Sequence, residues 1–175
     1  MQTYAWLIPI LPLLGFLVSG LLGKRLGKPF TAVVSVGVVF LSFGFAVAAF
    51  LAMKAAQPQR LDLLYGTWMA VGTPGAAGSL SVPFGLTIDS LSGTMMLVVT
   101  GIGALIHLYS VGYMWEDEGF ARYFSYLNLF VFFMLTLVLG SNLPIIFIGW
   151  EGVGLCSYLL IGYFFQTDYA PAAGL

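Results

Sequence analysis

Five long apolar stretches, Tyr4–Gly23, Phe30–Met53, Thr87–Met114, Tyr123–Gly140 and Leu143–Phe165, limit what this chain can fold into more than any other feature. A helix rises ~1.5 Å per residue, so ~20 residues cross a hydrocarbon core of ~30 Å. Inside lipid every backbone N–H and C=O must find a partner within its own segment, and a segment of this length does so as a helix. The expected fold class is all-α transmembrane, with about five membrane-spanning helices. Composition agrees. Apolar residues make up 60% of the chain and charged residues 7%, against roughly 25% charged in soluble domains. Such a chain cannot cover its outside with polar groups, so its solvent is mostly lipid.

The same numbers exclude other classes. A formal net charge of −1 with no basic tract offers nothing to nucleic acid. Cys156 is the one cysteine and His107 the one histidine, which rules out an intrachain disulfide and a Cys/His metal cluster. No metal and no cofactor is expected in this chain. There is no glycine-rich phosphate loop and no nucleophile elbow. The first stretch is longer than a signal-peptide core and no positive charge precedes it, so it is expected to be a retained transmembrane helix.

The connections are short, with one exception. Lys24–Pro29 reads as a tight charged turn and Glu116–Arg122 as a compact acidic loop. Ser141 or Asn142 is placed to cap the fifth helix, with Pro144 in its first turn. The exception, Lys54–Gly85, carries turn signals at Gln57-Pro58, Thr73-Pro74-Gly75 and Gly78-Ser79 between short runs, Leu61–Tyr65 and Ser79–Phe84. That pattern predicts a β-hairpin or folded extramembrane loop. The organisation is then two N-terminal helices over residues 1–53, an extramembrane loop over 54–85, and helices three to five over 86–175. Lys24, Arg25, Lys28 and Arg122 fall on one side, Lys54 and Arg60 on the other. This bias puts the first turn in the cytoplasm and the N-terminus and long loop outside.

Glu151 is the residue most in need of explanation. It lies about 12 Å along the fifth helix, near mid-membrane. A carboxylate there costs at least ~2.5 kcal/mol, so it must face protein or water, be neutralised, or pair with a cation. It shares a helix face with Gly154, Leu155, Tyr158 and Gly162. The glycines would let another helix or a water file approach, and Tyr158 could hydrogen-bond along that face. Two readings stand: a neutral structural carboxyl between helices, or a proton-carrying site. His107, in the third stretch, is either a proton relay or a buried histidine bonded to a neighbour. Asp89, at the start of that stretch, suits the positive helix N-terminus better than chemistry. The two lie 18 residues apart in sequence, roughly 27 Å along a helix, too far to touch within it. Asn128 and Thr136 are candidates for interhelical hydrogen bonds, and the glycines at 101, 103, 149, 152 and 154 for close packing.

The run Gly149-Trp150-Glu151-Gly152-Val153-Gly154-Leu155-Cys156-Ser157-Tyr158-Leu159-Leu160-Ile161-Gly162 resembles the fifth-helix signature of the large antiporter-like (subunit 5 type) membrane subunits of respiratory complex I. Ile88-Asp89-Ser90-Leu91-Ser92 and His107-Leu108-Tyr109-Ser110-Val111-Gly112-Tyr113-Met114 resemble the third helix of that family, and Arg122-Tyr123-Phe124-Ser125-Tyr126-Leu127-Asn128-Leu129-Phe130 fits its fourth. The resemblance is tight over residues 84–168. It implies a proton-translocating membrane-arm subunit of an NADH:quinone oxidoreductase, a translocase integral to the bacterial cytoplasmic membrane. Its partners would be the other membrane-arm subunits and the lipid bilayer. NADH, FMN, iron–sulfur clusters and quinone would belong to other parts of the complex. In that family the glutamate matching Glu151 interacts with a lysine on a later helix, and the matching histidine supports a buried polar network. The family runs to more than a dozen helices in two inverted repeats, so a chain ending at Leu175 is expected to be a fragment. Its residues 86–175 would start the first repeat. The large subunit of a multi-subunit Na⁺/H⁺ antiporter and a non-transporting scaffold are the alternatives.

Overall fold

The computed structural model describes residues 4–55, 59–72 and 79–164. The turn signals at Gln57-Pro58 and Thr73–Gly78, and the tail from Phe165 to Leu175, lie outside the described residues. Five helices carry the fold: α1 (Leu7–Leu26), α2 (Lys28–Ala55), α3 (Ser90–Tyr113), α4 (Phe120–Leu139) and α5 (Leu143–Ile161). All five are long and apolar enough to cross a membrane. Between α2 and α3 stands an antiparallel hairpin, β1 (Leu61–Val71) and β2 (Leu80–Ile88), registered from Leu61 opposite Ile88 to Val71 opposite Leu80. The third apolar stretch therefore begins as strand: Thr87 and Ile88 belong to β2, and the helix starts at Ser90.

α4 is the hub. It packs against α1, α2, α3 and α5, while α5 packs mainly on α4 and lies at the edge of the bundle. The hairpin closes one end. Leu61, Leu63, Leu86 and Ile88 from its base join Met53, Met96, Leu135 and Leu139 in one buried cluster. Beyond Leu63 strand β1 is exposed, Trp68 and Met69 included, while Val82 opposite Met69 on β2 is buried. Ser141 N–H donates to the Gly85 carbonyl and the Asn142 side-chain amide to the Pro83 carbonyl, at 3.3 and 2.7 Å. The α4–α5 turn thus sits against the hairpin. At the opposite end, Lys28 Nζ donates to the Trp115 carbonyl at 2.7 Å. The two sets of loops occupy opposite ends, as alternating spans require.

The charged turn between α1 and α2 is narrower than the span Lys24–Pro29 predicts. Both helices run up to Gly27, whose φ of 88° only glycine adopts without strain. Lys24 and Arg25 fall in the last turn of α1, where cations complement the helix dipole.

Inside the bundle, small hydroxyls join the helices. Ser19 and Ser35 meet at 2.7 Å, and Ser125 donates to the Phe16 carbonyl at 3.1 Å. Ser42 repairs a defect. Pro12 lies inside α1 and has no N–H, so the Ile8 carbonyl lacks its usual partner four residues on. Ser42 Oγ on α2 donates to that carbonyl at 2.7 Å, with Ser42 fully buried. Replacing Ser42 by alanine leaves a buried carbonyl unpaired and is expected to cost about 1–3 kcal/mol. A lower thermal unfolding midpoint of the full-length protein in nanodiscs would register it; an unchanged midpoint would remove the repair from the account.

Candidate functional site: an intramembrane carboxylate and a buried histidine

Each terminus near the candidate site is set by a local cap. Asp89 accepts from Leu91 N–H and Ser92 N–H, at 3.0 and 2.8 Å, while Ser92 Oγ accepts from Asp89 N–H. This reciprocal capping box satisfies the orphan donors at the start of α3. The Ser92 backbone N–H, and after it the Ser92 hydroxyl and Leu91 N–H, hold the Asp89 carboxyl below its usual range. The cap's stabilisation is then present above the ordinary carboxylate range and lost as pH falls through the lowered value. Asp89 is a structural cap, as its position suggests. Asn142 caps α5 in the same way, its Oδ1 accepting from Ile145 N–H at 3.2 Å.

α5 then carries Glu151 to the middle of its nineteen residues. Its packing face is built from Ile145, Gly149, Gly152 and Cys156, all buried. A Cβ added at Gly149 would sit 2.6 Å from the Leu137 Cα, and one at Gly152 would run into the Phe133 ring. These two glycines let α4 approach. Gly101 does the same for Phe43, at 3.0 Å, whereas Gly103 leaves ordinary contact distances.

Glu151 is on the other side. It is exposed, with no hydrogen bond or ion pair to any described residue. Trp150, Leu155 and Tyr158 beside it are 61%, 53% and 52% exposed, and a Cβ at Gly154 would meet nothing within 4 Å. The face shared by Glu151, Gly154 and Tyr158 therefore points away from the five helices. The expected close packing at Gly154 is not made by any described residue.

His107 has the opposite character. It is fully buried on the inner face of α3, with Thr100, Ala104 and Ser110. Its Nδ1–H donates to the Gly103 carbonyl at 2.8 Å, and its ring lies 6.1 Å from that of Phe124. Nε2 is buried without a partner among the described residues. A groove of about 210 Å³ between α3 and α4, lined by Ile102, Ile106, Phe130 and Met134, reaches this side chain. His107 and Glu151 do not meet, because α4 stands between their helices.

Asn128 and Thr136 correct an expectation. Asn128 Nδ2 donates to Phe124 and Thr136 Oγ1 to Phe132, both one turn back on α4, at 2.9 Å each. Asn128 Oδ1 instead presses against Gly15 of α1, 2.6 Å from where a Cβ would be. Interhelical bonds come instead from hydroxyls that sequence reading passed over: Ser19, Ser35, Ser42, Ser110 and Ser125, with Thr31 of α2 reaching the Gly23 carbonyl of α1 at 3.5 Å. The seven-residue spacing of Ser35 and Ser42 was the available signal. Among the described residues no three His, Cys, Asp or Glu side chains converge to hold a metal.

The family described as "NADH-Ubiquinone oxidoreductase (complex I), chain 5 N-terminus" matches residues 75–124. "NADH-quinone oxidoreductase subunit L" of Escherichia coli is 42% identical over 168 residues, which cover 95% of this chain and 26% of that protein. The Pseudomonas aeruginosa protein of the same name is 44% identical, covering 90% and 25%. "NADH-ubiquinone oxidoreductase chain 5" of Dictyostelium discoideum is 40% identical, covering 95% and 24%. The chain spans about a quarter of the length of these curated relatives.

Proposed function

We propose that this chain, homologous to the N-terminal quarter of the large antiporter-like subunit of NADH-quinone oxidoreductase, forms the first five transmembrane helices of a proton-translocating subunit. It is an integral, multi-pass membrane protein, and the bacterial relatives indicate the cytoplasmic membrane. On this reading the redox centres, with NADH, FMN, iron–sulfur clusters and quinone, belong to other subunits. The first turn faces the cytoplasm, and the neighbours are the other membrane-arm subunits.

One observation carries the proposal: a carboxyl at mid-depth of a spanning helix, on a face that no described helix covers. A charged side chain at the bilayer centre costs ~2.5–3.5 kcal/mol or more, so such residues face a protein interior or a water-filled cavity. The partner of Glu151 therefore comes from another segment or subunit. A cation brought to it would favour the carboxylate, and withdrawal of that cation would favour the protonated acid. A carboxyl that alternates in this way takes up a proton and gives it back. Names of the relatives favour the redox-coupled reading over a stand-alone Na⁺/H⁺ antiporter.

A hydrophobic carbodiimide tests this directly, because it reacts with protonated carboxyls in apolar surroundings. In membranes containing the whole complex, Glu151 should be labelled, and labelling should fall when NADH oxidation drives the site through its charged state. Failure of Glu151 to react under either condition would sink the proposal.

A further inference from the structure

α4 carries α1 and α5, while those two helices barely touch each other. At the hairpin end the cleft between them widens into an apolar cavity of about 370 Å³. It is lined by Phe132 and Thr136 of α4, the first turn of α1, Ile145 of α5, and Tyr65 and Phe84 of the hairpin. Phe132 lies seven residues before Leu139 at the end of α4, so the cavity occupies the outermost ~10 Å of the spans. No polar surface faces it. The Thr136 hydroxyl is turned back to the Phe132 carbonyl, at 2.9 Å, which leaves its methyl for the wall. Water needs about 2–4 polar partners to stay in a buried site, so it does not fill this one, and an empty cavity forfeits the dispersion contacts of its walls. At the rim, Trp6 and Tyr65 are 42% and 43% exposed, and neither the indole N–H nor the phenol O–H donates to a described residue. Aromatic side chains with an apolar body and a polar tip concentrate where hydrocarbon meets headgroups.

We infer that this cavity is a seat for one acyl chain of a bilayer phospholipid, with Trp6 and Tyr65 donating to the lipid's ester or phosphate oxygens. The volume falls within the ~300–1,000 Å³ of pockets that hold small molecules. Continuity with the lipid-facing surface selects this occupant, because Trp6, Phe84 and Ile148 around the cavity are all exposed on the outside of the spans. A transmembrane helix does not fit. It is ~10–12 Å across and needs a stripe running along whole spans, whereas the hairpin closes this cavity within the last turns of α4. A flexible chain enters from the side, beneath the hairpin. There it touches α1, α4, α5 and the hairpin together, and holds the hairpin to the bundle where α1 and α5 do not meet. This ligand site goes beyond the proton-translocating reading and does not rest on it.

The whole complex in nanodiscs of phosphatidylethanolamine and phosphatidylcholine tests the site. A fraction of the phosphatidylcholine carries a photoactivatable diazirine on one acyl chain, and cross-links are mapped by mass spectrometry after irradiation. Phe132, Thr136 and Ile145 should be labelled. Filling the cavity from the α1 side by Ile10→Phe, or from the α5 side by Ile148→Trp, should cut that labelling several-fold. Labelling of Leu21, which is 74% exposed on α1, should stay unchanged. The two fillings come from different helices, so either carries the test if the other weakens assembly. Equal labelling of these three residues in the native and filled proteins would mean passing annular lipid only, and overturns the seat. So does an absence of label on all three in the native complex, the result expected where a polypeptide segment covers the cavity.

Discussion

Glu151→Gln in the full-length subunit should stop proton movement through it while the complex still assembles. Glutamine matches glutamate in length and shape and keeps one carbonyl acceptor, so packing along α5 is undisturbed. What it lacks is the ability to bind and release a proton. Because the side chain lies outside the packing face of Gly149, Gly152 and Cys156, the substitution should not disturb the α4–α5 interface. Transfer depending on this group slows by ~10²-fold or more when the group is removed. In NADH-energised vesicles the number of protons moved per NADH should drop, or NADH oxidation itself should slow where it cannot run uncoupled. Glu151→Asp retains the acid one methylene short of its position and should retain part of the pumping. A Glu151→Gln complex with wild-type oxidation and wild-type pumping would leave the carboxyl a structural group.

Gly149→Val should have the largest effect on assembly. The atoms that a side chain would strike belong to the backbone of Leu137, with its Cα 2.6 Å from the added Cβ. A backbone inside a helix cannot turn aside as a ring or a long side chain can. Inserting methylenes into a packed interface costs about 1–3 kcal/mol, and more where the neighbour cannot yield. The expected result is a displaced α5, a lower amount of assembled complex on native gels and a lower unfolding midpoint. Gly154→Ala is the matched control. Its Cβ meets nothing among the described residues, and alanine is the better helix former by ~1 kcal/mol. If Gly154→Ala harms the full-length protein, a helix outside residues 4–164 packs on that face beside Glu151.

Much of this was legible from the chain alone because lipid imposes one-dimensional rules. A long apolar run must become a helix, so the five spans followed without any knowledge of packing. The turn signals between the second and third mark a β-hairpin or folded loop, of which the structure shows the hairpin. The helix starts were legible for a similar reason, because a cap acts on donors two or three residues away. Sequence places Asp89 at the positive end of α3 and Ser141 or Asn142 at the start of α5. The structure made the first a capping box and chose Asn142 for the second. Interhelical contacts are another matter. Asn128 and Thr136 looked like bridges between helices, yet their donors turn back to their own helix. Serines that drew no notice span the gaps, because a short hydroxyl reaches a neighbouring backbone only where two helices come close.

The amino-acid order by itself determined that this is a polytopic helical membrane protein, that one carboxyl lies at mid-depth, and what it is related to. Gly149, Gly152 and Gly154 stand within one motif and look alike, but tertiary structure alone assigned the first two to α4 and left the third facing outward with Glu151. It also decided that His107 is sealed inside while Glu151 is not, with α4 between them. The physical reason is that helical periodicity states which residues share a face, whereas which face meets another helix depends on how the spans pack together.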